Sequence, residues 1–152
     1  MLIGLLSDTH DNLPFIERAV EFFKRENVDF ILHAGDFVAP FSLKSLQNSS
    51  IEWRGVFGNN DGDKSLLRER SQGRIVEPPL FLELESRKIA LVHQFQELEA
   101  DVIVFGHTHN PSIEKRANIL LVNPGETGAW LSGRSTVGIL DTQKLEAKIF
   151  TL

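Results

Sequence analysis

Seven side chains able to bind a metal ion are spread along the chain, each close behind a short apolar segment. They are two carboxylates, one amide and four imidazoles: Asp8, His10, Asp36, Asn59, His93, His107 and His109. A nitrogen and oxygen donor set without sulfur suits Mn, Fe, Co, Ni or Zn rather than calcium or copper(I). Seven groups are too many for one catalytic ion that keeps open positions, so they favour two ions sharing a bridging carboxylate.

Five predicted strands carry these side chains at their carboxyl ends. The apolar runs 2–6, 30–34, 52–57, 88–92 and 101–105 are short and end in polar residues, which is typical of buried strands. Binding sites of open α/β sheets gather at the carboxyl ends of strands. Asp8 and His10 are two residues apart, as are His107 and His109, so each pair projects to one side of an extended chain. The sequence therefore predicts that the seven groups converge on one site.

The remaining segments predict a layered α/β fold. Segment 11–27 has the periodicity of an amphipathic helix, whose apolar face consists of Leu13, Ile16, Ala19, Val20 and Phe23. Asp11 or Asn12 can cap this helix, and Pro14 suits its first turn. Shorter helices are expected at 40–47 and 63–70, and further strands at 80–85, 112–116, 119–122, 136–140 and 145–150. A β-α-β start with a strand-rich finish favours two packed β-sheets flanked by helices.

Composition limits the class of protein. The 152 residues are expected to form one domain, spanning 1–152, and 41% hydrophobic residues are enough for a core. The formal charge of −5 excludes a strongly basic nucleic-acid-binding surface, and the lack of cysteine excludes thiolate zinc sites, disulfide scaffolds and cysteine nucleophiles. No apolar run approaches the roughly 20 residues that span a bilayer, and the N-terminus lacks the pattern of a signal peptide. We therefore expect a cytoplasmic protein with no membrane partner.

Four strings and one histidine, in this order along the chain, carry a resemblance to a known family. The strings are SDTHDN (7–12), HAGD (33–36), FGNND (57–61) and FGHTHNP (105–111), with His93 before the last. Together they resemble the calcineurin-like metallophosphoesterase superfamily, and most of all its small prokaryotic YfcE-like phosphodiesterases. The resemblance implies a distorted sandwich of two mixed sheets and a dinuclear metal centre. It also implies that a hydroxide activated by the two ions hydrolyses a small phosphate diester.

The resemblance assigns a role to each of the seven side chains. It implies that Asp8, His10 and His109 hold the first ion, that Asn59, His93 and His107 hold the second, and that Asp36 bridges the two. The expected cofactors are two divalent transition metal ions, with Mn favoured and Ni, Fe, Co or Zn as alternatives. No protein nucleophile is needed, which agrees with a chain that has no cysteine.

Three features depart from the family pattern or leave alternatives open. Asn60 stands where phosphatase branches have a histidine, and an amide can donate a hydrogen bond but cannot act as a general acid near neutral pH. Asp61 either orients Asn60 or the water, or closes the turn. The stretch from His93 to His107 is shorter than usual, so the pocket is either more open or completed by a neighbouring subunit in a homo-oligomer.

His33, inside a predicted strand, is interpreted as a packed and hydrogen-bonded core residue.

Two other functions are compatible with these motifs. The first is a metal-binding but weakly active or inactive protein-interaction scaffold, because a retromer subunit uses the same fold in this way. The second is a nuclease or phosphomonoesterase of the same superfamily. The nearest basic stretch contains Arg68, Arg70 and Arg74, but Glu69 interrupts it, so a solvated helix face is favoured over a nucleic-acid groove.

Overall fold

The computed structural model describes the whole chain, from Met1 to Leu152, as eleven strands and three α-helices. In chain order these are β1 (Leu2–Leu6), α1 (Leu13–Arg25), β2 (Phe30–His33), α2 (Lys44–Gln47), β3 (Glu52–Val56), α3 (Lys64–Arg70), β4 (Ile75–Val76), β5 (Leu80–Leu84), β6 (Arg87–Leu91), β7 (Val102–Val104), β8 (Ser112–Arg116), β9 (Ile119–Asn123), β10 (Thr136–Asp141) and β11 (Glu146–Thr151). A 3₁₀ turn at Pro40–Leu43 runs directly into α2. Every strand predicted from the sequence is present, with ends that differ by at most one residue.

The strands form two mixed sheets, as the sequence predicts. The first sheet has the order β11-β10-β1-β2-β3-β4, in which β1 to β4 are parallel and β10 and β11 are antiparallel to their neighbours. The second has the order β5-β6-β7-β9-β8, with a parallel centre and antiparallel edges. The parallel strands of both sheets place their carboxyl ends at shared edges, and these edges position the functional groups.

The central strands are apolar throughout because both of their faces are buried. In β1 and β2, Leu5 and Leu32 pack against the second sheet, while Leu6 and Ile31 face the helices. Parallel strands covered on both sides read as continuous apolar runs. Each fully buried side chain of this size stabilises the fold by about 1.5–3 kcal/mol. The site therefore rests on strands whose side chains are buried on both faces of the sheet.

Helix α1 begins and packs as predicted, except at its first residues. Pro14 lies in the first turn, and Ile16, Ala19, Val20 and Phe23 are buried. Leu13, however, is the first residue of the helix and is 42% exposed, so its assignment to the buried face is wrong.

The predicted cap of α1 is also wrong, because tertiary contacts take the capping side chains. Asn12 occupies the cap position but makes no side-chain capping bond, and its amide donates to the Gly128 carbonyl at 2.7 Å. The Asp11 carboxylate instead accepts from the backbone N–H of Ala39 at 2.9 Å. Both side chains thus join distant loops.

None of the three helices has the length and apolarity that a membrane crossing requires.

Candidate metal centre

The seven predicted side chains meet where the carboxyl ends of β1, β2 and β3 face those of β6 and β7. Asp36 lies at the centre of the group. Its Oδ2 is 3.5 Å from Nε2 of His10 on one side and 3.5 Å from Nε2 of His93 on the other. A carboxylate between two sets of donors is the arrangement that a bridging ligand requires.

One set of donors surrounds Asp8. The Nε2 atoms of His10 and His109 lie 3.9 Å and 3.6 Å from Asp8 Oδ1. The two imidazole rings are stacked, with centroids 5.4 Å apart. Ligand atoms of these three residues all fall within 4.8 Å of one another, which is close enough to hold one ion together.

The other set surrounds the amide of Asn59. Its Oδ1 is 2.8 Å from Nε2 of His93 and 2.9 Å from Nδ1 of His107. His93 Nδ1 lies 2.8 Å from the Ala34 carbonyl oxygen, which can only accept and so favours a proton on Nδ1. The Nε2 lone pair then faces the Asn59 oxygen at 2.8 Å, and a cation between these two acceptors would satisfy both.

Five of the seven residues have left-handed backbone conformations, which non-glycine residues rarely adopt. The φ angles are 52° at Asp8, 41° at His10, 62° at Asp36, 65° at His107 and 62° at His109. Each such residue costs on the order of 1 kcal/mol and persists where the surroundings impose it, as happens at functional sites. Loop-to-loop backbone bonds impose it here, for example from Asp8 N–H to the Gly35 carbonyl and from His10 N–H to the Asp36 carbonyl.

Unpartnered polar atoms at the centre show that the donors fit a cation. Asp8 Oδ1 and His10 Nε2 are buried and have no hydrogen-bond partner. The other Asp8 oxygen accepts from Ser7 Oγ at 2.6 Å and from His107 N–H at 3.0 Å. Burial raises the pKa of Asp8, and the Ser7 bond only partly opposes this. Because a divalent cation would satisfy the buried carboxylate oxygen and the imidazole nitrogen together, the residues present fit such an ion.

Comparison with known proteins identifies the family. Residues 1–145 match the calcineurin-like phosphoesterase superfamily domain. The chain belongs to the calcineurin-like phosphoesterase superfamily. Phosphodiesterase MJ0936 of Methanocaldococcus jannaschii is 37% identical, over 100% of this chain and 99% of that protein. Phosphodiesterase YfcE of Escherichia coli is 29% identical, over 95% of this chain and 90% of its own length. A solved structure of a novel archaeal phosphodiesterase shares 36% identity and a TM-score of 0.90, covering both chains completely.

Membership confirms the predicted family and fold and makes the chain a phosphoric ester hydrolase. The superfamily implies divalent metal ions, for which the clustered aspartates and histidines are the candidate ligands.

Asn60 and Asp61 of this phosphoesterase both hold Asp36, in different ways. Asn60 donates its backbone N–H to Asp36 Oδ1 at 2.8 Å and its side-chain amide to Asp36 Oδ2 at 2.7 Å. Asp61 is buried and accepts from the N–H groups of Gly58 at 2.7 Å, Val38 at 2.7 Å and Asp36 at 3.2 Å. Burial raises the pKa of Asp61, against the effect of these bonds. The contacts support the interpretation that Asp61 closes the loop, since it makes no hydrogen bond to Asn60.

His33 is the last residue of β2, close to the candidate metal centre, and has the contacts of a core residue. It is fully buried, and its ring stacks on Phe37 with centroids 3.6 Å apart. Its Nδ1 accepts from Gly35 N–H at 3.1 Å, so Nε2 carries the proton and donates to Thr9 Oγ1 at 3.0 Å. Burial, with a smaller effect of His93 and His10, lowers the pKa of His33 well below its usual range.

Glu126 is a residue of the site that the sequence reasoning missed. Its side chain is fully buried, and its Oε1 lies 3.1 Å from His109 Nδ1. Burial alone would raise the pKa of Glu126, but hydrogen bonds from Ser132 and Leu131, together with the nearby His109 ring, lower the pKa to about 2. The available signal was an acidic residue directly after the Asn-Pro-Gly turn at 123–125, in an otherwise uncharged segment.

Proposed function

We propose that this phosphoesterase is a metal-dependent phosphodiesterase acting on a small phosphate diester. The observation that carries the proposal is the convergence of seven nitrogen and oxygen donors on Asp36, including two buried atoms without a partner. The phosphodiesterase names of its relatives support the same reaction class.

In the proposed assignment, two divalent ions share the centre. One would be held by Asp8, His10 and His109, the other by Asn59, His93 and His107, with Asp36 between them. Manganese is the proposed metal, because carboxylate and amide oxygens suit Mn²⁺, and the four imidazoles keep Ni, Fe, Co and Zn as alternatives. When bound, such ions polarise phosphoryl oxygens and lower the pKa of a water molecule.

The protein's own groups orient this centre and limit its chemistry. The Ala34 carbonyl fixes the His93 tautomer, and Asn60 fixes both oxygens of Asp36. Asn60 is exposed beside the centre and can donate a hydrogen bond, but its amide cannot protonate a leaving group. We therefore propose that esters with good leaving groups, which need no protonation, react fastest.

The charge distribution supports a small substrate rather than a long nucleic acid. Arg68 lies 3.8 Å from Glu77, and Arg74 lies 3.7 Å from Glu52. Since carboxylates neighbour these arginines, they do not form a free basic groove of the kind that polyanions require.

Metal analysis combined with an ester assay tests the proposed function. Purified protein, stripped with chelator and reloaded with Mn²⁺, should contain close to two ions per chain. It should hydrolyse bis-p-nitrophenyl phosphate faster than p-nitrophenyl phosphate, and chelator should abolish the activity. Fully loaded protein that hydrolyses neither ester would contradict the proposal and would favour the alternative function, a protein-interaction scaffold of the same fold. A preference for the monoester would contradict the diesterase assignment alone.

A further inference from the structure

We propose that Glu126 is a positioning residue that orients His109 towards the metal centre and fixes its tautomer. This inference rests on the proposed function, because it takes His109 as a metal ligand. The ring of His109 lies between two carboxylates: Nδ1 is 3.1 Å from Glu126 Oε1, and Nε2 is 3.6 Å from Asp8 Oδ1.

The donors around Glu126 determine which side of the carboxylate faces His109. Oε2 accepts from the N–H of Ser132 at 2.8 Å and from its hydroxyl at 2.7 Å. The N–H of Leu131 lies 3.0 Å from Oε1 and 3.1 Å from Oε2. Oε1 therefore retains acceptor capacity on the side of the imidazole.

A carboxylate that only accepts favours a proton on the facing nitrogen. The His109 Nδ1–H is within reach of Glu126 but not well aligned with it, and no other acceptor is bonded to it. With the proton on Nδ1, the lone pair of Nε2 points to the Asp8 side. Carboxylates behind metal-bound histidines have this effect on tautomer and ring orientation.

The segment that carries Glu126 is itself fixed to the metal centre. Backbone N–H groups of Thr127 and Gly128 donate to the carbonyls of Ser7 and Asp8 at 3.0 Å and 3.1 Å. The indole N–H of Trp130 donates to the His10 carbonyl at 3.0 Å. The position of Glu126 is thus set relative to Asp8 and His10, the two residues that share the proposed first ion with His109.

Glu126→Gln tests the inference through metal affinity, with Glu85→Gln as the matched control. Glu85 also accepts from an amine and a hydroxyl, those of Met1 and Thr142, but away from the metal centre. Mn²⁺ titration calorimetry of metal-stripped proteins should show two sites in the wild type. We expect Glu126→Gln to weaken one of them by about 10–100-fold, and Glu85→Gln to leave both unchanged. Ser132→Ala removes one donor but keeps the carboxylate and its bonds to the backbone N–H groups of Leu131 and Ser132, so it should weaken that site less than Glu126→Gln does.

The outcomes separate this inference from the proposed function. Wild-type protein that binds no Mn²⁺ would overturn both. If both Mn²⁺ sites have the same affinities in Glu126→Gln as in the wild type, the inference alone would be overturned. Equal weakening in Glu126→Gln and Ser132→Ala would assign Glu126 to loop closure only.

A second measurement decides the question if Glu126→Gln does not fold. The ¹⁵N shifts of the His109 ring in metal-free wild-type protein report its tautomer. We expect the Nδ1-protonated form, and an Nε2-protonated ring would overturn the inference.

Discussion

Gly58→Ala should displace Asp36 and disable the site without altering any of the seven proposed metal ligands. A Cβ at Gly58 would lie 2.1 Å from Asp36 Oδ1, 2.5 Å from Asp36 N and 2.7 Å from Asp36 Cγ. Rotating the Asp36 side chain cannot relieve this overlap, because the backbone nitrogen is also too close. The Asp36 loop must therefore move by about 1 Å to restore ordinary contact distances.

The expected cost follows from that displacement. Overpacking of this kind costs about 1–3 kcal/mol in the free energy of unfolding, and a misplacement of about 1 Å at a catalytic centre costs on the order of 100-fold in rate. Gly62→Ala is the matched control, since a Cβ there meets no atom within 4 Å. It should change stability by no more than about 1 kcal/mol, in the stabilising direction.

Urea unfolding of the metal-free proteins, together with Mn²⁺-dependent hydrolysis of bis-p-nitrophenyl phosphate, measures both effects. Gly58→Ala should lose stability and activity together, and Gly62→Ala should lose neither. If the two variants behave alike, the packing of Asp36 against Gly58 is not what holds the central carboxylate.

Three further predictions concern Asp36, His33 and the bound metal. Asp36→Asn should lower kcat/KM for the diester by more than about 100-fold, because replacing even a residue that only supports a metal ligand lowers activity by about 10–100-fold. His33→Ala should lower kcat/KM by less than about 10-fold. Equal losses in the two variants would remove Asp36 from its bridging position. Burial holds the pKa of His33 well below its usual range, so below about pH 6.5 the unfolded chain takes up a proton that the folded chain does not. Stability should therefore fall as the pH is lowered, with a slope that approaches about 1.4 kcal/mol per pH unit. His33→Gln should remove that component from metal-free urea unfolding between pH 7 and 5.5, and parallel curves for both proteins would contradict it. Mn²⁺ at 100 times its Kd should stabilise the protein by about 2.7 kcal/mol per site, and a Tm that is the same in Mn²⁺ and in chelator would show that the folded state has no metal site.

The central strands β1, β2 and β7 were predictable because burial on both faces makes them apolar over nearly their whole length. Strand β4 was not, because two residues, Ile75 and Val76, give no periodicity. The antiparallel pairing of β10 with β1 joins segments more than 130 residues apart, so no local pattern encodes it. The cap of α1 failed for a related reason: Asp11 and Asn12 have the right chemistry for a local bond, but distant backbone groups take it.

The site could be predicted where residues able to bind a metal ion follow the carboxyl end of a predicted strand. All seven proposed ligands follow buried strands in this way, and the structure brings them together. Glu126 follows a turn instead, and its contact with His109 depends on how two loops pack. The two alternatives for Asp61 differ in what its carboxylate contacts, and the contacts made in the fold are the N–H groups of Asp36, Val38 and Gly58.

Anomalous diffraction from a crystal grown with Mn²⁺ tests the central claim most directly. We predict two manganese peaks on either side of Asp36, separated by about 3.5–4 Å. One peak should contact Asp8, His10 and His109, and the other the remaining three proposed ligands. A map with no manganese peak at Asp36, or with peaks only elsewhere on the protein, would contradict the account.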